Sequence, residues 1–347
     1  MKTNESNPFI TILVPIRNEA EWIASCLQSI LAQDYDRDQM EVLVIDGEST
    51  DQTTAIIKRF EQKDQRIRVI NNPKQKVAHA LNIGLQLAKG DLLVRVDGHA
   101  TIEKQYLKKC VSTLQQTGAD CVGGKIISIN SSIIGKGIAL AMSSIFGVGN
   151  ARFRTSGAPG FVDTLAFGAY RAEWFQKIGS FDNTLVRCQD DEFNYRLRKA
   201  GGKIYFNPNI SATYFPRSDF IKLWKQYFQY GFYKVRVMRR HFSMMQIRQF
   251  VPALFVFALG LSALCSCFNS GCRIAFAFVA GIYLITNILF SLIITARSGL
   301  RFIFIVPIAF LILHLSYGLG FICGVVFTLV KKTTPTERLC DESKCYN

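Results

Sequence analysis

"LLVRVDGHA", residues Leu92–Ala100, is an apolar run that stops at Asp97 and sets His99 two positions further on. The run has the length and branched side chains of a buried strand. A turn would need only Gly98. An acid and an imidazole at i and i+2 of a tight loop can also converge on one cation. The carboxylate suits Mg2+ or Mn2+, and the imidazole tilts the preference towards Mn2+.

Earlier segments have the same form. "FITILVP" (Phe9–Pro15), "EVLVID" (Glu41–Asp46) and "IRVI" (Ile67–Ile70) read as strands, and "DLLVRVD" (Asp91–Asp97) follows them. Helical spacing comes after each, around Trp22–Ile30 and then over Asp51–Phe60, Val77–Ala88 and Ile102–Gln116. Strand–helix alternation with short links and nearly continuous apolar strands implies an α/β fold, its mostly parallel sheet covered on both faces.

Such sheets bind ligands beyond the carboxyl ends of their strands. Pro15, Arg17, Asn18 and Glu19 stand there after the first strand, Asp46, Gly47 and Glu48 after the second, and Asp97 with His99 after the fourth. Ser49–Asp51 supplies a helix N-cap in addition. Acids and a histidine grouped at one edge are poor packing material and describe a site. No G-x-G-x-x-G follows the first strand and no G-x-x-x-x-G-K-[ST] occurs, so the glycine cradle of dinucleotide and P-loop folds is missing. An acid-lined site that holds a phosphorylated ligand without that cradle needs a cation between them.

Composition sets this sheet beside a membrane. No acidic residue occurs from Phe250 to Val330, and the basic ones are Arg273, Arg297 and Arg301. Three apolar stretches, Phe250–Phe268, Ile274–Thr295 and Phe302–Val330, run to 19, 22 and 29 residues. A helical span needs roughly 20. The net charge is +15; residues 1–249 hold 34 basic and 23 acidic side chains, and Arg217–His241 alone holds seven basic and one acidic. That segment interleaves its cations with Phe220, Trp224, Tyr227, Phe228, Phe232 and Tyr233, the pattern of a helix lying on anionic lipid. Its adjacency to the first apolar stretch favours membrane lipid, with no nucleic acid as partner. "MKTNESNPFITILVP" lacks a signal-peptide pattern, which puts the part before residue 250 in the cytosol. The cysteines there, Cys26, Cys110, Cys121 and Cys188, have neither zinc nor disulfide spacing.

"ITILVPIRNEAEWIASCLQSILAQ", "EVLVIDGESTDQT", "AHALNIGLQLAKGDLLVRVDGHA" and "VRCQDDEFNYRLRKAGGKIYFNP" stand in the order and spacing of family 2 glycosyltransferases with the GT-A fold, which the chain resembles over residues 9–215. "RVDGHA", "GFVDTLAFGAYRAEWF" and "QDDEFNYRLRKAGG" resemble, more narrowly, the succinoglycan-pathway branch that glucosylates a lipid-linked sugar. The resemblance implies that Asp97 stands first in the Asp-x-Asp that holds a nucleotide diphosphate with Mn2+ or Mg2+, and that His99 replaces the second acid as a metal ligand. It implies a UDP-sugar bordered by Pro15, Arg17 and Glu19, with Asp46 on the uracil edge. Gly47 replaces an acid that many members carry there. Lys76, just before the third helix, is placed to reach a phosphate. The family's Glu-Asp-x-Asp falls on Gln189–Glu192, which makes Asp190 the catalytic base of an inverting transfer. Its carboxylate would take the acceptor hydroxyl's proton as that oxygen attacks the anomeric carbon. Asp191 and Glu192 then open a helix in which Arg196 and Arg198 follow.

"GAPGFVDTLAFGAYRAEWF" (Gly157–Phe175) reads as a loop entering a strand on the acceptor side, with Asp163 as an acceptor contact or a turn former. "GKGIALAMSSIFGVG" (Gly135–Gly149) is too short to span. The expected organisation is a GT-A catalytic domain over 1–216, an amphipathic interfacial helix region over 217–248, two to three transmembrane helices over 249–330 and a polar tail over 331–347. Three spans would put Lys331 and Lys332 outside, against the positive-inside tendency, whereas one re-entrant segment would keep them in. The Gln-x-x-Arg-Trp signature of processive synthases is absent. The reading is transfer of one sugar, glucose, from UDP-glucose to a polyprenyl-diphosphate-linked saccharide at the inner membrane, in exopolysaccharide or cell-surface polysaccharide synthesis beside other assembly enzymes. Direct transfer to polyprenyl phosphate and a non-catalytic membrane scaffold are the competing readings. Few intramembrane polar residues besides Asn287 and His314 speak against transport.

Overall fold

The computed structural model describes residues 7–155, 157–216 and 219–333. Arg217 and the tail from Thr334 onward, both used above, lie outside the described residues. In chain order the elements are β1 (Ile10–Ile16), α1 (Ile23–Leu31), β2 (Met40–Asp46), α2 (Thr53–Lys63), β3 (Ile67–Asn71), α3 (Val77–Leu87), β4 (Leu92–Arg95), β5 (Ala100–Ile102), α4 (Tyr106–Thr117) and β6 (Cys121–Ser128). There follow α5 (Ile133–Met142), α6 (Ile145–Val148), α7 (Arg152–Thr155), β7 (Gly160–Phe161), β8 (Ala169–Arg171), α8 (Glu173–Ile178), α9 (Gln189–Lys199), β9 (Ile204–Tyr214) and α10 (Phe220–His241). The last three helices are α11 (Val251–Cys265), α12 (Ser270–Ser298) and α13 (Ile305–Thr333).

The strands form one sheet in the order β3-β2-β1-β4-β8-β6-β9-β5, with β7 paired to β9. β3, β2, β1 and β4 run parallel, while β8 is antiparallel to both of its neighbours. Every residue of β1 and β2 is buried, because helices cover both faces. Alternation sorts the two faces. Ile10, Ile12 and Val14 pack with α1 and α4, whereas Leu13, Leu43 and Ile45 pack with α3 and α9. The strand direction changes at β4, next to the loop that carries Asp97 and His99.

That loop is tighter than the sequence suggests. β4 ends at Arg95, and β5 starts at Ala100 and pairs antiparallel with β9, so α4 begins at Tyr106 instead of Ile102. Gly98 makes the reversal possible. A Cβ there would lie 2.6 Å from Ile16 Cγ2 and 3.2 Å from Glu19 Cγ, so only glycine lets the loop rest against the end of β1.

The first apolar stretch yields a helix of only 15 residues, with proline in its first turn. Asn269 then caps α12 by accepting from Gly271 N. α12 and α13 are 29 residues each, and among the described residues these two are long and apolar enough to cross a membrane. α12 leaves Ile282, Ile285, Leu289, Leu292 and Ile293 exposed, a contiguous apolar surface suited to lipid. α13 packs along α10 through small residues. A Cβ on Gly231 would meet the Tyr317 carbonyl oxygen at 2.0 Å, and one on Gly320 would meet that of Phe228 at 2.1 Å; such glycines let helix backbones approach closely. The basic character of α10 is therefore divided. Lys222, Trp224 and Lys225 are exposed, but Lys234, counted above among the lipid-facing cations, is buried and points to α9.

Candidate active site

Left-handed backbone marks the loops that bring the polar residues together. Asn18, Gln75 and Cys188 have φ of 54°, 55° and 65°, a region that costs non-glycine residues energy and persists where surroundings impose it. They flank Arg17, Lys76 and Gln189–Asp190 respectively. Asn18 is held by its backbone N–H donating to Ser49 Oγ (2.9 Å) and by its side chain accepting from Thr50 N (2.8 Å).

Arg95 organises the acidic centre. Its Nε donates to Asp97 Oδ1 at 2.8 Å and its Nη1 to Asp190 Oδ1 at 2.7 Å. One guanidinium thus ties the end of β4 to the first turn of α9, across 95 residues of chain. Burial pushes the Asp190 carboxyl up, Arg95 opposes that, and the negative charge of Asp97 adds to it; the net direction is up. At Asp97 burial also pushes up, but the charge and hydrogen bonds of Arg95 together with His99 hold it below the usual carboxylate range. Two carboxylates on one arginine are driven apart, and Asp190 is the stronger proton acceptor of the two.

The rest of the α9 first turn is fully paired. Asp191 accepts from Thr164 Oγ1 at 2.8 Å and is ion-paired to Lys234. Burial would raise the Asp191 carboxyl, but the Lys234 ammonium holds it low, and the Lys234 ammonium is in turn held well above its ordinary value despite its burial. Glu192 takes Arg196 one helical turn on (2.8 Å) and His241 from α10 (3.1 Å). The acids at the helix start are also favoured by its dipole. Of the three, Asp190 alone turns to the acidic centre.

His99 Nδ1 lies 2.8 Å from Glu19 Oε1. In the tautomer that donates this bond, Nε2 keeps its lone pair, the carboxylate–histidine arrangement that prepares an imidazole to bind a metal. Pro15, Arg17, Glu19, Lys76, Asp97, His99 and Asp190 all line one cavity of about 1170 Å³. Asp46 and Asp163 do not. Asp46 is buried and accepts from Ser49 Oγ (2.6 Å) and Thr54 Oγ1 (3.1 Å), while Asp163 is paired to Arg248 at 2.5 Å. Next to Asp46, Asn72 lines the cavity and carries a buried Oδ1 with no donor among the described residues. That amide oxygen is a ready acceptor for a ligand N–H.

The same cavity continues past the acidic centre to the C-terminal helices, where Val251, Phe255, Phe278, Ile282, Phe290 and Leu313 form its wall. α6 links the two parts. His314 Nε2 sits 2.8 Å from the Phe146 carbonyl oxygen and its Nδ1 3.0 Å from Tyr283 Oη, and the Phe146 ring packs against Phe290 and Phe310.

Sequence reading missed Arg95, Asn72 and Lys234. Arg95 did carry a signal: a charged residue inside an apolar strand, two positions before Asp97 and so on the same face. Lys234 carried none, since its partner is 43 residues away.

Residues 11–179 match the family model described as Glycosyl transferase family 2. Dolichyl N-acetyl-alpha-D-glucosaminyl phosphate 3-beta-D-2,3-diacetamido-2,3-dideoxy-beta-D-glucuronosyltransferase of Methanococcus voltae is 31% identical over 327 residues, covering 92% of this chain and 97% of that protein. Succinoglycan biosynthesis protein ExoA of Rhizobium meliloti (strain 1021) is 31% identical over 260 residues, 74% of this chain and 78% of that one. The mannosyltransferase PcManGT from Pyrobaculum calidifontis, solved in complex with GDP-Man and Mn2+, has a TM-score of 0.61 over 91% of this chain and 88% of that one. At 19% identity that likeness shows a common fold.

Proposed function

The chain belongs to glycosyltransferase family 2 and has the GT-A fold, and from that premise we propose that it transfers a single sugar, glucose, from a UDP-sugar to a saccharide carried on a polyprenyl diphosphate, with inversion at the anomeric carbon. The observation that carries the reading is the single cavity that runs from Asp97 and Asp190 to the apolar wall of α11, α12 and α13. One end suits a charged nucleotide sugar and the other an isoprenoid chain. The relatives support it by name, one acting on a dolichyl-phosphate-linked sugar and one in succinoglycan biosynthesis.

In this reading Pro15, Arg17, Glu19 and Lys76 border the donor, and Asp46 supports the base-binding loop from behind while Asn72 offers the acceptor. Asp97 and His99 would hold a divalent cation, whose chemistry is to neutralise charge on the departing diphosphate. No group of three or more His, Cys, Asp or Glu suited to a metal occurs among the described residues, so a bound cation would need the diphosphate and water to complete its coordination. Asp190 removes the proton from the acceptor hydroxyl, and Arg95 keeps it aimed and favours its charged form. Asp163, through Arg248, shapes the acceptor side. Residues 1–216 form the catalytic domain on the cytoplasmic face of the cell membrane, 217–248 the interfacial region, 249–330 the membrane region and 331–347 the tail.

The test is UDP release from UDP-glucose by membranes containing the protein, with a lipid-linked acceptor extract and Mn2+, Mg2+ or EDTA. Release with a one-sugar gain in acceptor mass is expected, lost with EDTA and reduced at least a hundredfold in Asp190→Asn. An Asp190→Asn protein as active as wild type would remove the assigned base.

A further inference from the structure

The cations on the cavity wall are not all accounted for by the acidic centre. Arg95 is shared by Asp97 and Asp190, Lys234 is paired to Asp191, and Arg248 to Asp163. Arg17 and Lys76 lie on the donor side, at the ends of β1 and β3. Arg154 on α7 and Arg187 before α9 lie on the other side, against β9 and α10.

Neither Arg154 nor Arg187 has a carboxylate partner among the described residues. Arg154 is held by rings: its guanidinium carbon lies 5.6 Å from the centre of Phe153 and 5.8 Å from that of Tyr214. Its Nη1 is buried with no hydrogen-bond acceptor among the described residues. Arg187 donates from Nε to Gln229 Oε1 at 3.1 Å and lies 5.8 Å from the Tyr230 ring centre; its charge helps hold the Asp97 carboxyl low, but among the described residues it makes no ion pair with a carboxylate. The two are joined by one aromatic and amide cluster, in which Tyr227 meets Tyr230 edge-on at 5.4 Å and Gln226 donates to Tyr230 Oη at 3.2 Å. The cluster adjoins the acidic centre, since the Tyr214 ring is 5.1 Å from that of His99. Beyond it the wall turns apolar.

A half-buried guanidinium without an anion is costly and is retained where a ligand supplies one. Arginine is also the side chain that grips phosphate oxygens through two parallel N–H bonds. We propose that Arg154 and Arg187 form a phosphate-binding subsite for the lipid-linked acceptor, placed between the reaction centre and the apolar channel. The subsite rests on the proposed acceptor class and extends it to named residues. It sets how deep the acceptor enters: phosphate at the two arginines, isoprenoid along α11–α13, sugar towards Asp190.

The test is direct binding to the full-length protein in detergent micelles, with farnesyl diphosphate, farnesol and UDP as probes. Wild type should bind farnesyl diphosphate at least tenfold more tightly than farnesol. Arg154→Gln and Arg187→Gln should each weaken farnesyl diphosphate roughly tenfold and leave UDP within twofold, while Arg154→Lys and Arg187→Lys, which keep the charge but lose the planar fork, should recover only part of the loss. Equal wild-type affinity for the diphosphate and the alcohol would overturn the subsite without any variant having to fold. Loss of UDP binding with farnesyl diphosphate unaffected would reassign the arginines to the donor and overturn it equally. The assay involves no sugar transfer, so failure of the glycosyl-transfer reading and failure of this subsite give different results.

Discussion

Arg95→Gln isolates the one contact on which the chemistry of the centre depends. The wild-type side chain is 11% exposed and sits between carboxylates that are 20% and 22% exposed. Glutamine keeps much of the bulk and removes the charge. Stripping one partner from a buried ion pair typically costs about 3–5 kcal/mol, because the remaining charge is left uncompensated. Shared between Asp97 and Asp190, that is about 2 kcal/mol for each, and 1.36 kcal/mol corresponds to one pH unit. Losing a positive neighbour favours the protonated carboxyl, and Asp190 accepts a proton only when ionised. The acid limb of the pH–rate profile therefore moves up by roughly one unit or more. The quantity to measure is kcat/KM for the donor, which reports groups of the free enzyme, between pH 5 and 9 in wild type, Arg95→Gln and Arg95→Lys. Arg95→Lys should keep the limb near its original position while losing the two-armed geometry. A limb that stays in place in Arg95→Gln, with the rate lowered equally at every pH, would show that Arg95 does not govern the ionisation of Asp190 and would refute the reasoning.

Removing Lys234 alone, as Lys234→Met, leaves a partly buried Asp191 without its cation and should cost roughly 1–3 kcal/mol; the double variant Lys234→Met, Asp191→Leu should recover most of it in thermal unfolding in micelles. The Asp191 carboxyl is held low in the folded protein, so its contribution is complete above the unfolded value of about 3.9 and disappears as pH falls through the lower folded value. Wild type should thus lose thermal stability below about pH 4 more steeply than the double variant. Gly231→Ala places a methyl 2.0 Å from the Tyr317 carbonyl oxygen and should lower stability by about 1–3 kcal/mol, whereas Gly260→Ala, with nothing within 4 Å, should be neutral or slightly stabilising in the same measurement. Gly98→Ala should impair donor binding more than folding, read as a larger rise in donor Kd than fall in unfolding midpoint, because the displaced groups are Ile16 at the end of β1, Glu19 after it and the Asp97–His99 loop, which line the donor side of the cavity.

What the sequence determined is local. Nearly continuous apolar runs of four to seven residues, each followed by a helix of period 3.6, leave little choice but a parallel sheet covered twice, and such a sheet puts Arg17, Glu19 and Asp97 at one edge. Helices without a single acid over eighty residues must meet lipid or one another. Both inferences need only neighbours along the chain. The partners were not legible there. Arg95 reaches Asp190 across 95 residues, and Lys234 reaches Asp191 across 43, because strand direction reverses at β4 and α10 folds back over α9. Asp46 and Asp163, each sound candidates as isolated acids, are claimed by Thr54 and Arg248 once the loops close. The cavity likewise exists only in three dimensions. α6 is four residues long, yet its Phe146 docks among α12 and α13 and joins the acidic centre to the apolar wall. Periodicity dictates which face of an element is buried, but only packing decides which charges are neutralised there and which are left for a ligand.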